Sequence, residues 1–279
     1  MLVDAGSNVK ARRGADITAL YFACAGGHVH IVRTPLAIPG FWVDGRQGPD
    51  GPPIAKAILG GHLDCVKELV EHGAKTTWDA DPRSETSSYV NAAEHANRRG
   101  EATVLEWLLT EKKCGSVDLK TMLQIATHEG FSKRVIVLLE QGATATSFID
   151  LKNVAARGEI ELLEFLLRRG ATQAGKDRAL GDAAFSGQSK AVRILLDHGA
   201  DPNTSVNVID PPLHCAVLGA DLESAKMLVR AGSDVFALNN RGQTAARWAR
   251  RYGEEPEGRE ARRAIAEYLE SLEQAKGCE

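Results

Sequence analysis

One phrase of nine residues occurs five times along the chain, each time as an apolar stripe that ends in a glycine. The copies are VKELVEHGA at 66–74, VIVLLEQGA at 135–143, LEFLLRRGA at 163–171, VRILLDHGA at 192–200 and AKMLVRAGS at 225–233. Apolar residues at helical spacing followed by a glycine predict a helix that ends at a left-handed residue. Self-similarity on this scale predicts one unit stacked many times, with each copy burying its apolar face against its neighbours.

A second, shorter helix is predicted before each phrase. A segment of small residues ends at a fixed offset of 12 before the closing glycine in all five copies. The closing glycines are Gly73, Gly142, Gly170, Gly199 and Gly232, and the earlier positions are Gly61, Gly130, Gly158, Gly187 and Ala220. A constant offset between variable linkers indicates a hairpin of two helices joined by a tight turn.

Three segments carry a resemblance to a known family: 18–32, 60–74 and PPLHCAVLGADLESAKMLVRAGSDV at 211–235. They resemble ankyrin repeats, whose units of about 33 residues contain a β-turn and two antiparallel helices. The resemblance implies an all-α solenoid of helix-turn-helix units joined by short or stunted β-turn fingers. With the threonine of the family's T-P-L-H-x-A phrase as the anchor, eight units are placed at Thr18, Pro52, Asn91, Thr121, Ile149, Arg178, Pro211 and Thr244.

The units are expected to form one domain, an array over 12–255, with different ends. Residues 1–11 align with the closing half of a unit, which predicts either a fragment of a longer protein or an edge open to self-association. Residues 256–279 predict a capping helix and tail. The arginines of that helix alternate with glutamates, which predicts a solvated, salt-bridged face; they are Arg259, Arg262 and Arg263.

The linkers between units differ in length. Short steps between the central anchors predict stunted fingers there. The polar segment at 79–90 predicts a lengthened, mobile loop. The segment at 35–53 replaces the end of the first unit.

Composition excludes several classes of protein. A formal net charge of -3 lacks the basic excess of a nucleic-acid binder. The five cysteines include no C-x-x-C pair, which predicts a reducing compartment, and Cys24, Cys65 and Cys215 occupy positions expected of core residues. No apolar run reaches the roughly 18 residues of a membrane span. These features predict a soluble protein of the cytosol or nucleus that binds neither membrane nor nucleic acid directly.

No catalytic motif is present, so we predict a protein that is not an enzyme and needs no cofactor. The pair His28 and His30 could begin a metal site with Asp64. However, Gly-His at 27–28 and 61–62 resembles the family's inter-helix turn, and the pattern supplies no third histidine or cysteine. Scaffold histidines are therefore the favoured interpretation, with an enzyme or metal-binding protein on this fold as the rival.

The resemblance also implies a concave groove lined by the first helix of each unit, with contacts just before the inter-helix glycine. The predicted partner-binding residues are Arg98, Arg99, His128, Arg157, Phe185, Leu218, Arg251 and Tyr252. Arginine and aromatic residues are enriched at interface hot spots. We therefore expect an acidic or phosphorylated protein segment, with its anions on Arg98, Arg99 and Arg157 and an apolar anchor beside Phe185 and Leu218.

Together these features predict a non-catalytic protein-protein interaction module that acts as a scaffold, adaptor or regulatory subunit. The alternative within the same class is a regulator of transcription or protein turnover that acts through its partner.

Overall fold

The structure is a computed structural model that describes residues 12–13, 17–45, 51–79, 89–143, 149–204, 210–252 and 258–276. The half-unit predicted at 1–11, with its self-association edge, lies outside the described residues, as does most of the 79–90 loop. The chain divides into two compact units, Met1–Thr146 and Ser147–Glu279. The fold class is all-α, because the described residues form sixteen helices and only two short pairs of strands.

Unit 1 contains four pairs of helices. They are α1 (Ala19–Ala25) with α2 (Val29–Leu36), α3 (Pro53–Leu59) with α4 (Leu63–Glu71), α5 (Ala92–Arg99) with α6 (Ala102–Thr110), and α7 (Leu119–His128) with α8 (Ser132–Glu140). Two antiparallel hairpins precede α1 and α5. They are β1 (Arg12–Arg13) with β2 (Ile17–Thr18), and β3 (Thr77–Asp79) with β4 (Tyr89–Asn91). The second hairpin contains the ends of the lengthened linker predicted at 79–90.

Unit 2 also contains four pairs. They are α9 (Leu151–Ala156) with α10 (Ile160–Arg168), α11 (Gln173–Phe185) with α12 (Ser189–Asp197), α13 (Pro212–Leu218) with α14 (Leu222–Arg230), and α15 (Ala245–Tyr252) with α16 (Arg259–Lys276). In each unit the first helices of successive pairs pack side by side, and the second helices form another layer. The core lies between these layers.

Helix starts follow local chemistry. Thr18, Asn91, Asp150 and Thr172 each accept a hydrogen bond through their side chain from a backbone N–H of the helix that they precede. Such N-caps satisfy backbone donors that otherwise lack a partner in the first turn. The helices α3 and α13 begin instead with a proline pair, whose fixed φ suits the first helical position.

In four pairs the residue that precedes the second helix lies against the inter-helix glycine of the preceding pair. His62 lies against Gly27, Glu101 against Gly61, and Phe131 against Gly100 in unit 1, and Gln188 lies against Gly158 in unit 2. These glycines have positive φ, so a side chain would meet both strain and a neighbouring group. Contacts of this kind connect successive pairs within a unit.

The finger between α10 and α11 is short because helix replaces it. Helix α11 begins at Gln173, so the anchor placed at Arg178 lies inside the helix and not at its start. The added turn caps the second helix of its own pair: Gln173 Nε2 donates to Gly199 O at 2.8 Å, and Lys176 Nζ donates to His198 O at 2.9 Å. The extension therefore supplies donors to carbonyls at the end of α12.

The C-terminal helix α16 packs on α13, α14 and α15. Arg250 forms a two-pronged ion pair with Glu270, at 2.7 and 2.6 Å. The prediction of a solvated, salt-bridged arginine face does not describe Arg262, whose guanidinium donates to Val217 O at 3.2 Å and to Leu218 O at 3.1 Å. Those carbonyls lie at the end of α13, where helical geometry leaves acceptors unsatisfied.

Ala220 adopts a left-handed backbone conformation that favours glycine. Its φ is 53°, whereas the equivalent positions in six other pairs are glycines with positive φ. Since the left-handed region costs an L-residue roughly 1–2 kcal/mol and glycine loses more chain entropy on folding, Ala220→Gly is expected to raise the free energy of unfolding by about 0.5–1 kcal/mol. Urea denaturation measures the change.

The matched control is Ala231→Gly, because Ala231 ends α14 with an ordinary φ of -79°. That exchange is expected to be neutral or destabilising, since only the entropic cost of glycine applies. Equal shifts in the two variants would contradict the account of strain at Ala220.

Candidate partner-binding surfaces

Two exposed arginines, Arg98 and Arg99, form the last turn of α5 in unit 1. Buried amides place this helix: Asn91 donates to Cys114 O, and Asn97 Nδ2 donates to Met122 O on α7 at 2.9 Å. Within the described part of the chain, neither arginine forms an ion pair with a carboxylate. Among the described residues, no carboxylate therefore competes with an anion for these two adjacent guanidinium groups.

The positive charge at this site extends to α3. His95 stacks edge-on against Trp78, with ring centroids 5.6 Å apart. Burial, together with the positive charges of Arg99, Arg98 and Lys56, lowers the pKa of His95 to about 4. Three cations from two helices therefore act on one ring, which stays neutral near pH 7.

His128 ends α7 and is exposed, one helix along from Arg98 and Arg99. The neighbouring acidic side chain is not free, because Arg134 Nη2 donates to Glu129 Oε2 at 3.0 Å. Arg134 is buried, and its guanidinium carbon lies 3.8 Å from the ring centroid of Phe131. Glu129 therefore neutralises Arg134, while Arg98, Arg99 and His128 remain on the surface.

In unit 2 the predicted residues occupy the ends of first helices that pack side by side. Arg157 is exposed at the end of α9, and its Nη1 lies 3.6 Å from Glu159 Oε1. Phe185 ends α11 and is 56 % exposed. Leu218 ends α13 and is half-buried, with its carbonyl bound by Arg262.

Helix α15 contributes the remaining two residues. Arg251 is exposed, and Tyr252 is half-buried with its ring 4.8 Å from that of Trp248. The structure thus places Arg98, Arg99 and His128 at the ends of the neighbouring helices α5 and α7 in unit 1. In unit 2 the predicted residues lie at successive ends of first helices: Arg157, Phe185, Leu218, Arg251 and Tyr252.

Three residues of the unit 1 surface were not predicted from the sequence: Lys56, His95 and Phe131. The predicted residues came only from the two positions before each inter-helix glycine, and these three residues lie elsewhere. Phe131 begins α8 in the position that His28 and His62 occupy in other pairs. Alignment of the second helices would have shown an aromatic residue where the other pairs have polar side chains.

The histidines of the inter-helix turns serve the scaffold. His62, between α3 and α4, forms a hydrogen bond through Nε2 to Ala25 O of α1 at 3.2 Å, so it connects two successive helix pairs. His214 is buried, its Nε2 donates to Gln243 O at 2.9 Å, and burial lowers its pKa. Among the described residues, no three His, Cys, Asp or Glu side chains are grouped so as to hold a metal ion.

The cysteines that the structure describes are core residues. Cys24, Cys65, Cys114 and Cys215 are buried and not disulfide-bonded. Burial raises the pKa of both Cys24 and Cys215 to about 12, so their thiols stay protonated and unreactive. In the described ranges, no helix combines the length and apolar character needed to cross a membrane.

Stacked helix hairpins, with caps and turns repeated from pair to pair, define a repeat protein of the kind that serves as a protein-interaction module. A family model described as ankyrin repeats in many copies matches residues 180–229, so this chain contains ankyrin repeats.

Known proteins with similar sequences agree with this assignment. The chain is 27% identical over 217 residues to the zebrafish (Danio rerio) protein named Putative palmitoyltransferase ZDHHC13, covering 69% of this chain and 31% of that protein. It is 27% identical over 205 residues to the mouse (Mus musculus) B-cell lymphoma 3 protein homolog, covering 71% and 39%. It is 35% identical over 83 residues to human (Homo sapiens) Ankyrin repeat and SOCS box protein 16, covering 29% and 18%. The matched part is thus between 18% and 39% of each relative's length.

Proposed function

We propose that this protein is a non-catalytic adaptor, scaffold or regulatory subunit that binds an acidic or phosphorylated segment of a protein partner. The segment contacts Arg98, Arg99 and His128 in unit 1. The observation that carries the proposal is the pair of adjacent exposed arginines with no carboxylate partner among the described residues.

Electrostatics supports this choice of ligand. Lys56 adds a third positive charge from α3, and the three charges add to the effect of burial in lowering the pKa of His95. An anionic side chain or phosphate at the arginines would relieve this repulsion. Arginine also matches the planar geometry of carboxylate and phosphate oxygens with two parallel N–H donors.

Unit 2 offers a second surface in the same proposal. Phe185 presents an exposed ring beside the half-buried Leu218, because the ends of α11 and α13 approach closely at Gly219. Arg157 and Arg251 lie at the ends of other first helices of this unit. This mixture of apolar and cationic side chains fits an apolar anchor of the partner with acidic flanks.

A role in transcription or protein turnover would be one use of such an adaptor. No described residue favours either role over the other, so the proposal stays at the level of an adaptor for an acidic partner.

Charge reversal in unit 1 tests the proposal. The probe is a fluorescein-labelled ten-residue peptide of alternating glutamate and phosphoserine, and fluorescence anisotropy measures its dissociation constant. Arg98→Glu with Arg99→Glu is expected to weaken binding at least about tenfold, because each charged hydrogen bond contributes roughly 1.5–3 kcal/mol. Higher salt should weaken wild-type binding as well.

The matched control is Lys112→Glu with Lys113→Glu, which changes the net charge equally at two adjacent exposed positions after α6. It should bind almost as tightly as wild type. A second readout is the pKa of His95 from its ring-proton shifts, which should rise from about 4 when the peptide binds. Equal losses in both double variants, or an unchanged His95 pKa, would contradict binding at Arg98 and Arg99.

A further inference from the structure

We infer that Phe131 is an apolar specificity contact beside the arginine pair, and that it selects protein segments with an aliphatic or aromatic side chain next to their acidic group. The inference rests on the proposed binding at Arg98 and Arg99. It adds a requirement that charge alone does not impose.

The position of Phe131 is unusual within this chain. Seven second helices have a defined residue at the N-cap, and six of those residues are polar: His28, His62, Glu101, Glu159, Gln188 and Asp221. The seventh is Phe131, an apolar residue that remains 47% exposed. Of the six polar residues only Asp221 accepts a capping hydrogen bond through its side chain, so an aromatic residue loses no capping bond that the other five make.

The ring lies against Gly100, the residue that follows the arginine pair. A β-carbon on Gly100 would be 3.9 Å from Phe131 Cε1, and Gly100 directly follows Arg99 in the chain. The end of α5 and the start of α8 therefore present cationic groups and an aromatic ring at one place in unit 1.

The buried cation on the other side does not compete for the ligand. Arg134 packs against the ring and is neutralised by Glu129, at 3.0 Å. The part of the ring left in water can still be covered by an apolar side chain of a partner, and burial of apolar area favours that contact.

The occupant that this chemistry fits is a peptide segment in which an acidic or phosphorylated residue and an apolar residue lie close together. The anion pairs with Arg98 and Arg99, and the apolar side chain covers Phe131. A purely polyanionic ligand would use the arginines and leave the ring exposed.

Two labelled peptides separate these cases. Both are ten residues long with equal numbers of glutamate and phosphoserine, and they differ only by one central leucine or alanine. Wild type is expected to bind the leucine peptide about three- to tenfold more tightly, the amount that burial of a few methyl or methylene groups supports. Phe131→His should remove that preference while binding of the alanine peptide is retained.

Histidine is a suitable replacement because His62 already places its ring over Gly27 in the same position of another pair. Phe236→His is the matched control, since Phe236 is 46% exposed in unit 2 and should leave the preference intact. Urea denaturation checks that both variants fold.

A second measurement uses wild type alone. Isotope-filtered NMR should detect contacts between the leucine methyl groups of the bound peptide and the Phe131 ring protons. Absence of these contacts would overturn the inference, as would a leucine preference that survives Phe131→His or a wild type without any preference. If instead neither peptide responds to Arg98→Glu with Arg99→Glu, the proposed function itself fails, so the two failures are distinguishable.

Discussion

Replacement of Leu195 by alanine is expected to lower the free energy of unfolding by about 2–5 kcal/mol, the range for a leucine removed from a packed core. Leu195 is fully buried on α12, whose neighbours in the second-helix layer are α10 and α14. The smaller side chain leaves a cavity that the surrounding helices fill only in part. Urea denaturation followed by circular dichroism measures the loss.

The effect should extend beyond the mutated helix. In repeat arrays the stability of each unit depends on its interfaces with the neighbouring units. Hydrogen exchange should therefore accelerate in α10 and α14 as well as in α12. Leu238→Ala is the control, because Leu238 is 60% exposed and should change stability by less than about 0.5 kcal/mol. A loss confined to α12, or one no larger than that of the control, would contradict cooperative stacking.

Much of this architecture could be predicted because it depends on local signals. The phrase around Leu195 shows a buried stripe and a closing glycine, and the structure places α12 over Ser189–Asp197 as that pattern requires. The resemblance to ankyrin repeats then supplied the pairing of helices. Repeats make such prediction easier, since a weak signal in one unit is supported by the same signal in others.

Contacts between distant residues were harder to predict. Lys56 and His95 belong to different pairs and approach through packing of α3 and α5, which no local pattern encodes. Arg262 looked like one of several solvated arginines until its guanidinium was found on the carbonyls of α13. The same limit applies to Arg178, which lies inside α11 because helix formation extended into a linker.

Some residues of the candidate surfaces could likewise be predicted from the sequence, and others could not. Arg98 and Arg99 were predicted from their place before Gly100, and the structure adds that they lack a carboxylate partner among the described residues. Phe131 was missed because its importance depends on a contact with the neighbouring turn. The sequence indicates which side chains lie near a turn, whereas packing decides which of them lie together.

Gly219→Ala is expected to lower the free energy of unfolding by about 1–3 kcal/mol, the usual cost of an overpacked core position. Gly219 has an ordinary φ of -69°, so backbone strain does not require glycine there. Glycine is required because there is no room for a side chain: a β-carbon would lie 2.7 Å from Phe185 O and also against Ala184 O. These atoms belong to the backbone at the end of α11 and cannot rotate away, so α11 and α13 must separate.

Gly232→Ala separates this steric cost from the cost of strain. Gly232 has a φ of 96°, and nothing lies within 4 Å of its missing β-carbon. Its loss of roughly 1–2 kcal/mol would come from the left-handed backbone alone and should leave the packing of neighbouring helices unchanged.

In Gly219→Ala, amide NMR shifts should move on both α11 and α13. Shifts limited to residues next to Gly219 in sequence would show that the two helix ends do not approach as closely as the structure has them. The apolar surface proposed at Phe185 and Leu218 would then lose its geometric basis.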